Sequence, residues 1–193
     1  GVMRLVVAPV KALATILTLA TGGTAGREGP IMQIGASLGS WIGQRLGLSA
    51  AQRRILLLAG CAGGLGAIFR APLGGAVTSV EVLYREDFES DALIPCVTAS
   101  IVAYAVYMGV FGFSHMFRLP EILFTDLREL WVYLVLGLLC AVAGIIYVRL
   151  FQTLRDRVFR RLPLPAWSIP AIGGLMVGTM ALVDIRVLGS GFG

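Results

Sequence analysis

Charge is scarce in this chain of 193 residues: 14% are Asp, Glu, Lys or Arg, against 57% hydrophobic. Mean hydropathy is +0.85. An ordinary soluble domain carries about 25% charged residues, so this composition excludes that class and points to lipid. Chemistry-bearing side chains are scarcer still. One histidine, His115, stands without a second histidine or an HExxH pattern, so it reads as a loop residue and not as a metal ligand or a member of a triad. Cys61, Cys96 and Cys140 lie far apart in apolar segments. Their spacing fits neither metal ligation nor a redox motif, and all three are expected to be buried small hydrophobes. No GxSxG elbow and no Walker-type loop occurs. The expectation is therefore no enzyme, no metal and no cofactor.

What the chain has is apolar length. Hydrophobic stretches run at about 5–25, 31–44, 55–69, 71–84, 92–112, 130–150 and 169–188. Crossing a bilayer takes roughly 20 residues, so 92–112 and 130–150 are long enough and 55–69 and 71–84 are not. Short segments predict helices that stop partway, which membranes tolerate where the broken ends are buried in protein or line a cavity. Glycines at 35, 39, 43 and 47 recur every fourth residue, a stripe that lets another helix approach closely. Gly60 with Gly64, and Gly174 with Gly178, repeat the spacing.

Basic residues set net charge to +5 and the isoelectric point near 9.6, yet they gather at segment ends and form no nucleic-acid patch. Arg149, Arg155, Arg157, Arg160 and Arg161 fall between two apolar spans, and the positive-inside rule places that connection in the cytoplasm. Counting back puts residues 84–91 there too. Arg45, Arg53 and Arg54 then fall on the wrong side, which predicts re-entrant or tilted helices. There is no signal-peptide pattern. Both ends look cut, the first at Gly1-Val2-Met3 and the last inside Gly189-Ser190-Gly191-Phe192-Gly193, so a piece of a larger domain is expected.

The most informative block is Gly26-Arg27-Glu28-Gly29-Pro30. Pro30 fits a first helical position, and the small residues before it leave backbone amides open. A helix N-terminus carries roughly half an elementary charge of positive dipole, enough to hold a small anion. Glu28 stands where its carboxylate claims the same place, so protonating it or swinging it aside vacates the site. The plainer reading is a capped helix start, with Glu28 complementing the dipole and Arg27 reaching headgroups or water. An ionisable side chain at bilayer depth costs about 2.5 to 3.5 kcal/mol on insertion scales, which favours the functional reading.

These residues carry a resemblance. Gly26-Arg27-Glu28-Gly29-Pro30 continues as Gln33-Ile34-Gly35; Gly63-Gly64-Leu65-Gly66-Ala67-Ile68-Phe69 follows, then Ala71-Pro72-Leu73-Gly74-Gly75 leading to Glu81. In that order the blocks resemble the CLC family of chloride channels and chloride/proton antiporters. The resemblance covers essentially the whole chain. It implies an all-α membrane protein, a bundle of tilted and broken transmembrane helices with inverted repeats. Residues 1–193 would be a partial transmembrane domain, with the later part of the first inverted half at about 1–112 and the start of the second at about 129–193. It further implies a multi-pass protein of the plasma or inner membrane, with chloride as the bound ion, possible protons as a second cargo, and a homodimer with one pore per subunit. Residues 71–82 and the span from Ala92 match helices of the family's dimer interface; an apolar face there meets a partner or lipid.

By the same resemblance Glu28 is the gating glutamate. The backbone amides of Gly26, Arg27, Glu28, Gly29 and Ile31, with Pro30 among them, would form one wall of the anion selectivity filter. The departure lies at Glu81-Val82, because many antiporters of the family carry there a second glutamate that relays protons and this chain has Val82. Valine holds no proton. A passive voltage- or proton-gated chloride channel is therefore the first expectation, with a chloride/proton antiporter and a non-conducting assembly unit as alternatives. Glu81, Glu86 or a water path remains as a substitute proton route, although Glu81 reads better as structural, held by amides or by Arg85. The family's filter serine and tyrosine have no assignable counterpart; Gly189-Ser190-Gly191-Phe192 lies after the GREGP block and ends in Gly193 where proline is expected.

Overall fold

A computed structural model describes residues 2–82, 90–113, 130–161, 165 and 168–189. The expectations for residues 84–89, including Arg85 and Glu86, for His115 and its loop, and for Ser190 to Gly193 lie outside the described residues. All regular structure in the described residues is helical: α1 Val7–Ala20, α2 Glu28–Arg45, α3 Ala50–Phe69, α4 Pro72–Val82, α5 Ser90–Phe111, α6 Leu130–Thr153 and α7 Ile169–Ala181. Short turns follow α6 and α7. The chain divides into two compact units, residues 1–117 with 180–193, and residues 118–179.

In the first unit α3 is central and packs against α2, α4 and α5. Helices α2 and α3 form an antiparallel hairpin whose turn is written in the sequence. Gly47 has φ +64°, Leu48 N–H donates to Gly43 O at 3.1 Å, and Gly47 N–H donates to Gln44 O at 3.2 Å. This left-handed close satisfies two orphan carbonyls of α2. Gly47 thus ends the helix and does not extend the packing stripe expected of it. Ser49 then starts α3 with a reciprocal capping box: Gln52 N–H donates to Ser49 Oγ at 3.3 Å, and Ser49 N–H to Gln52 Oε1 at 3.1 Å. Arg45, Arg53 and Arg54 all sit at this closed end of the hairpin.

The other stripe glycines behave as their spacing implies. A Cβ built on Gly35 would overlap the Gly60 carbonyl, one on Gly39 would overlap the Leu56 carbonyl, and one on Gly43 would meet Arg53 Cγ at 2.9 Å. Gly60 answers Gly35 reciprocally, and Gly64 lies against Ile31. Backbone-to-backbone contact of this kind holds helices together where lipid removes the hydrophobic drive between them.

A break at Arg70 and Ala71 separates α3 from α4, and α4 folds back on α3 so that a Cβ on Gly75 would meet the Gly66 backbone. Pro72 disfavours helical geometry at Ala71, and Arg70 closes α3 in the left-handed region at φ 54°. Its guanidinium donates to Tyr107 Oη at 3.2 Å and lies over the Tyr107 ring, which ties the break to α5. The core below it is formed by Leu58, Ala59, Ala62, Ala76, Val80, Ala92 and Cys96.

In the second unit α6 runs 24 residues, about 36 Å at 1.5 Å per residue, longer than the hydrocarbon core of about 30 Å. Helix α5 and the stretch Leu130–Arg161 are both long and apolar enough to cross a membrane. Two expectations fail here. Cys140 is exposed, unlike the buried Cys61 and Cys96, as is every other residue of α6. Gly174 and Gly178 of α7 likewise face open space among the described residues, so their spacing meets no helix there.

Candidate functional site

The GREGP block lies in the first unit, between the end of α1 and the start of α2. Helix α1 closes as α2 does: Gly22 takes φ +82°, Gly23 N–H donates to Thr18 O at 2.8 Å, and Gly22 N–H donates to Leu19 O at 3.1 Å. The following loop is held by residues remote in sequence. Thr24 Oγ1 donates to Val187 O at 2.7 Å, in the short turn Ile185–Val187, and Gly22 packs against the Leu188 side chain. A fixed loop fixes where α2 begins.

Helix α2 begins at Glu28 with Arg27 as its N-cap, and no side chain caps it. Pro30 is therefore the third helical residue and not the first. The shift costs nothing, because every N–H of the first turn lacks an intrahelical acceptor. Ile31 N–H donates to Arg27 O at 3.2 Å and is already committed. With Pro30 lacking an N–H, the open donors of this turn reduce to the amides of Glu28 and Gly29, where the dipole is strongest. Arg27, Glu28, Pro30 and Ile31 are half-buried, and Gly26 and Gly29 are exposed.

The Glu28 side chain does not reach away from this helix end. Its Oε2 folds back onto Gly26, so closely that a Cβ at Gly26 would overlap it. Glycine at 26 is what lets the carboxylate lie across the mouth of α2. Beside it opens a cavity of about 210 Å³ lined by Lys11, Ala14, Thr15 and Thr18 of α1 and by Ala25, Gly26 and Pro30. Thr15 and Thr18 donate their hydroxyl hydrogens to the Lys11 and Ala14 carbonyls, each at 2.8 Å. The positive character of the cavity therefore comes from Lys11 and from the start of α2. A small anion in this space would meet Lys11 and the start of α2; Glu28 does not line the cavity, but its carboxylate lies on Gly26, which does.

Sequence reasoning centred on Gly26 to Ile31 did not reach the α1 wall. The available signal was Lys11, Thr15 and Thr18 at i, i+4 and i+7, a polar stripe along an otherwise apolar helix, with Lys11 the chain's single lysine. Val82 is the last residue of α4 and is 60% exposed. Neither it nor the exposed Glu81 lines the cavity.

Comparison with known proteins gives the family and the fold. The family model for the voltage gated chloride channel matches residues 1–193. The H(+)/Cl(-) exchange transporter ClcA of Salmonella arizonae is 32% identical, over 96% of this chain and 40% of its own length. The putative chloride channel protein ClcB-like of Ralstonia nicotianae is 30% identical, over 95% of this chain and 43% of its own. Among solved structures, a slow cyanobacterial Cl⁻/H⁺ antiporter superposes with a TM-score of 0.80 at 29% identity, covering 98% of this chain and 45% of that one. A CLC-type fluoride/proton antiporter gives 0.77 at 26% identity, covering 94% and 46%. The chain thus spans less than half the length of these relatives. It belongs to the voltage-gated chloride channel, or CLC, family, whose members are integral membrane proteins.

Proposed function

We propose that the full-length protein is a chloride/proton antiporter in which Glu28 alternates between occupying the anion position at the start of α2 and releasing it. The observation that carries this reading is the Glu28 carboxylate folded onto Gly26 beside the Lys11 cavity. A carboxylate there holds off an anion while charged and admits one once protonated or displaced, which links a proton to each exchange. Support for coupled transport comes from the relatives: the similar solved structures are antiporters of chloride or fluoride with protons, and ClcA is named an exchanger. These findings weigh against the passive channel expected from Val82. The proton then reaches Glu28 without a glutamate at 82, by Glu81 or a water path.

The channel reading keeps one specific observation in its favour, since Val82 offers no proton site at a position where many antiporters have one. Reconstitution of the full-length protein in liposomes decides between them. With a chloride gradient imposed, antiport drives protons uphill as chloride leaves, and Glu28→Gln abolishes the proton flux while chloride still moves. Chloride efflux with no proton movement in the unmodified protein would establish a channel. The exposed apolar residues of α4 and α5, among them Leu73, Val77, Ile94 and Ile101, are assigned in this reading to a partner subunit.

A further inference from the structure

The second unit holds a cavity of its own. At Leu154 helix α6 gives way to a π-helical turn, Leu154–Val158, and then to a tight turn, Phe159–Arg161. At about 100° per residue an uninterrupted α-helix would set Arg160 on the face opposite Phe151. The altered winding instead brings both to one cavity of about 420 Å³, lined by Phe151, Leu154, Arg155, Phe159, Arg160 and Ile169. The cavity surface is apolar throughout, Arg155 and Arg160 lining it with the carbon of their side chains while those side chains stay largely exposed beside it. Wide turns of this kind inside helices occur frequently at functional sites.

We propose that this cavity binds an anionic phospholipid of the cytoplasmic leaflet, its phosphate on Arg155 and Arg160 and the first part of an acyl chain against Phe151, Leu154, Phe159 and Ile169. Asp156 orders the two arginines, accepting from Arg155 Nε at 3.0 Å and lying 3.5 Å from Arg160. One carboxylate cannot occupy the donors of two guanidinium groups, each with five N–H bonds in a fork that matches phosphate oxygens. Around it lie Arg149, Arg157 and Arg161, which have no ion pair among the described residues, so five arginines face one aspartate. That imbalance at the end of a membrane-length apolar helix attracts a negative leaflet. A free phosphate would use the arginines and leave the apolar walls without an occupant; a phospholipid uses both. The proposal is independent of which ion the protein moves.

The test is native mass spectrometry of the detergent-purified full-length protein offered equal amounts of phosphatidylglycerol and phosphatidylcholine. Phosphatidylglycerol should be retained preferentially, and inorganic phosphate should not displace it. Arg155→Gln with Arg160→Gln should lower its retention about 25-fold, at roughly five-fold per arginine, whereas Arg157→Gln, outside the cavity, should lower it less than two-fold. Phe159→Ala should weaken lipid retention with both arginines in place. Equal retention of the two lipids by the unmodified protein overturns the proposal without any variant. So does full displacement by inorganic phosphate, which marks a free-anion site, or an Arg157→Gln loss as large as that at Arg155 and Arg160, which marks general charge attraction.

Discussion

Gly26→Ala is the sharpest perturbation the GREGP geometry offers. The added methyl group would overlap Glu28 Oε2 and nothing else but the rest of that carboxylate within 4 Å. The obstacle is the far end of a flexible side chain and not backbone, so Glu28 can move and the fold need not. Gly26 has no positive φ among the glycines that do, and alanine takes its backbone without strain. Forcing a side chain off its preferred rotamer costs about 0.5 to 1.5 kcal/mol, which corresponds to a shift of about two- to twelve-fold in the balance between carboxylate across the helix mouth and carboxylate withdrawn. Chloride efflux from liposomes at fixed pH should rise by that factor, and protons carried per chloride should fall. On a Glu28→Gln background the same substitution should add less than two-fold, because the competing charge is already gone. Unchanged efflux and unchanged coupling from a folded Gly26→Ala protein, with thermal unfolding matched to the parent, would refute the gating role of this carboxylate. An equal effect with and without Glu28 would place the change in the loop and not in the gate.

Three further outcomes follow from the same structure. Gly39→Ala should destabilise the full-length protein in a detergent thermal-unfolding assay by about 1 to 3 kcal/mol, because its methyl group meets the Leu56 backbone and neither helix can yield without separating. Ser49→Ala removes the side-chain half of the α3 capping box, the Oγ that accepts from Gln52 N–H, and should cost about 1 kcal/mol in the same assay, leaving transport unaltered. Val82→Glu, at an exposed helix end, should fold normally and leave the chloride-to-proton ratio unchanged if protons already reach Glu28 by another route. Proton flux appearing only with the new glutamate would support the channel reading.

The close approach of α2 to another helix was legible in advance because its determinant, a glycine every fourth residue, is local. The signals that close α2 at Gly47 and open α3 at Ser49 with Gln52 are equally local, yet the four-residue spacing counts Gly47 in the stripe and passes over the capping box. The break between α3 and α4 was legible for the same reason, since proline acts on the residue before it. Pro30 marked the start of α2 only to within two residues, because the first turn tolerates proline at any of its positions. Cys140, Gly174 and Gly178 misled because burial is a property of neighbours: a cysteine or a small-residue pair in an apolar helix reads the same whether or not another helix covers it.

By itself the sequence determined the membrane setting, the family and the residue types at the mouth of α2, since composition, apolar length and the GREGP block depend only on the order of residues along the chain. Tertiary structure alone decided that Lys11, Thr15 and Thr18 of α1 wall the same cavity as Gly26 and Pro30, that Thr24 is held by Val187, and that the Glu28 carboxylate lies on Gly26. Each of those is a meeting of segments through space or the choice of one rotamer. Neither has a local signature, because the free energy that selects them comes from packing between elements.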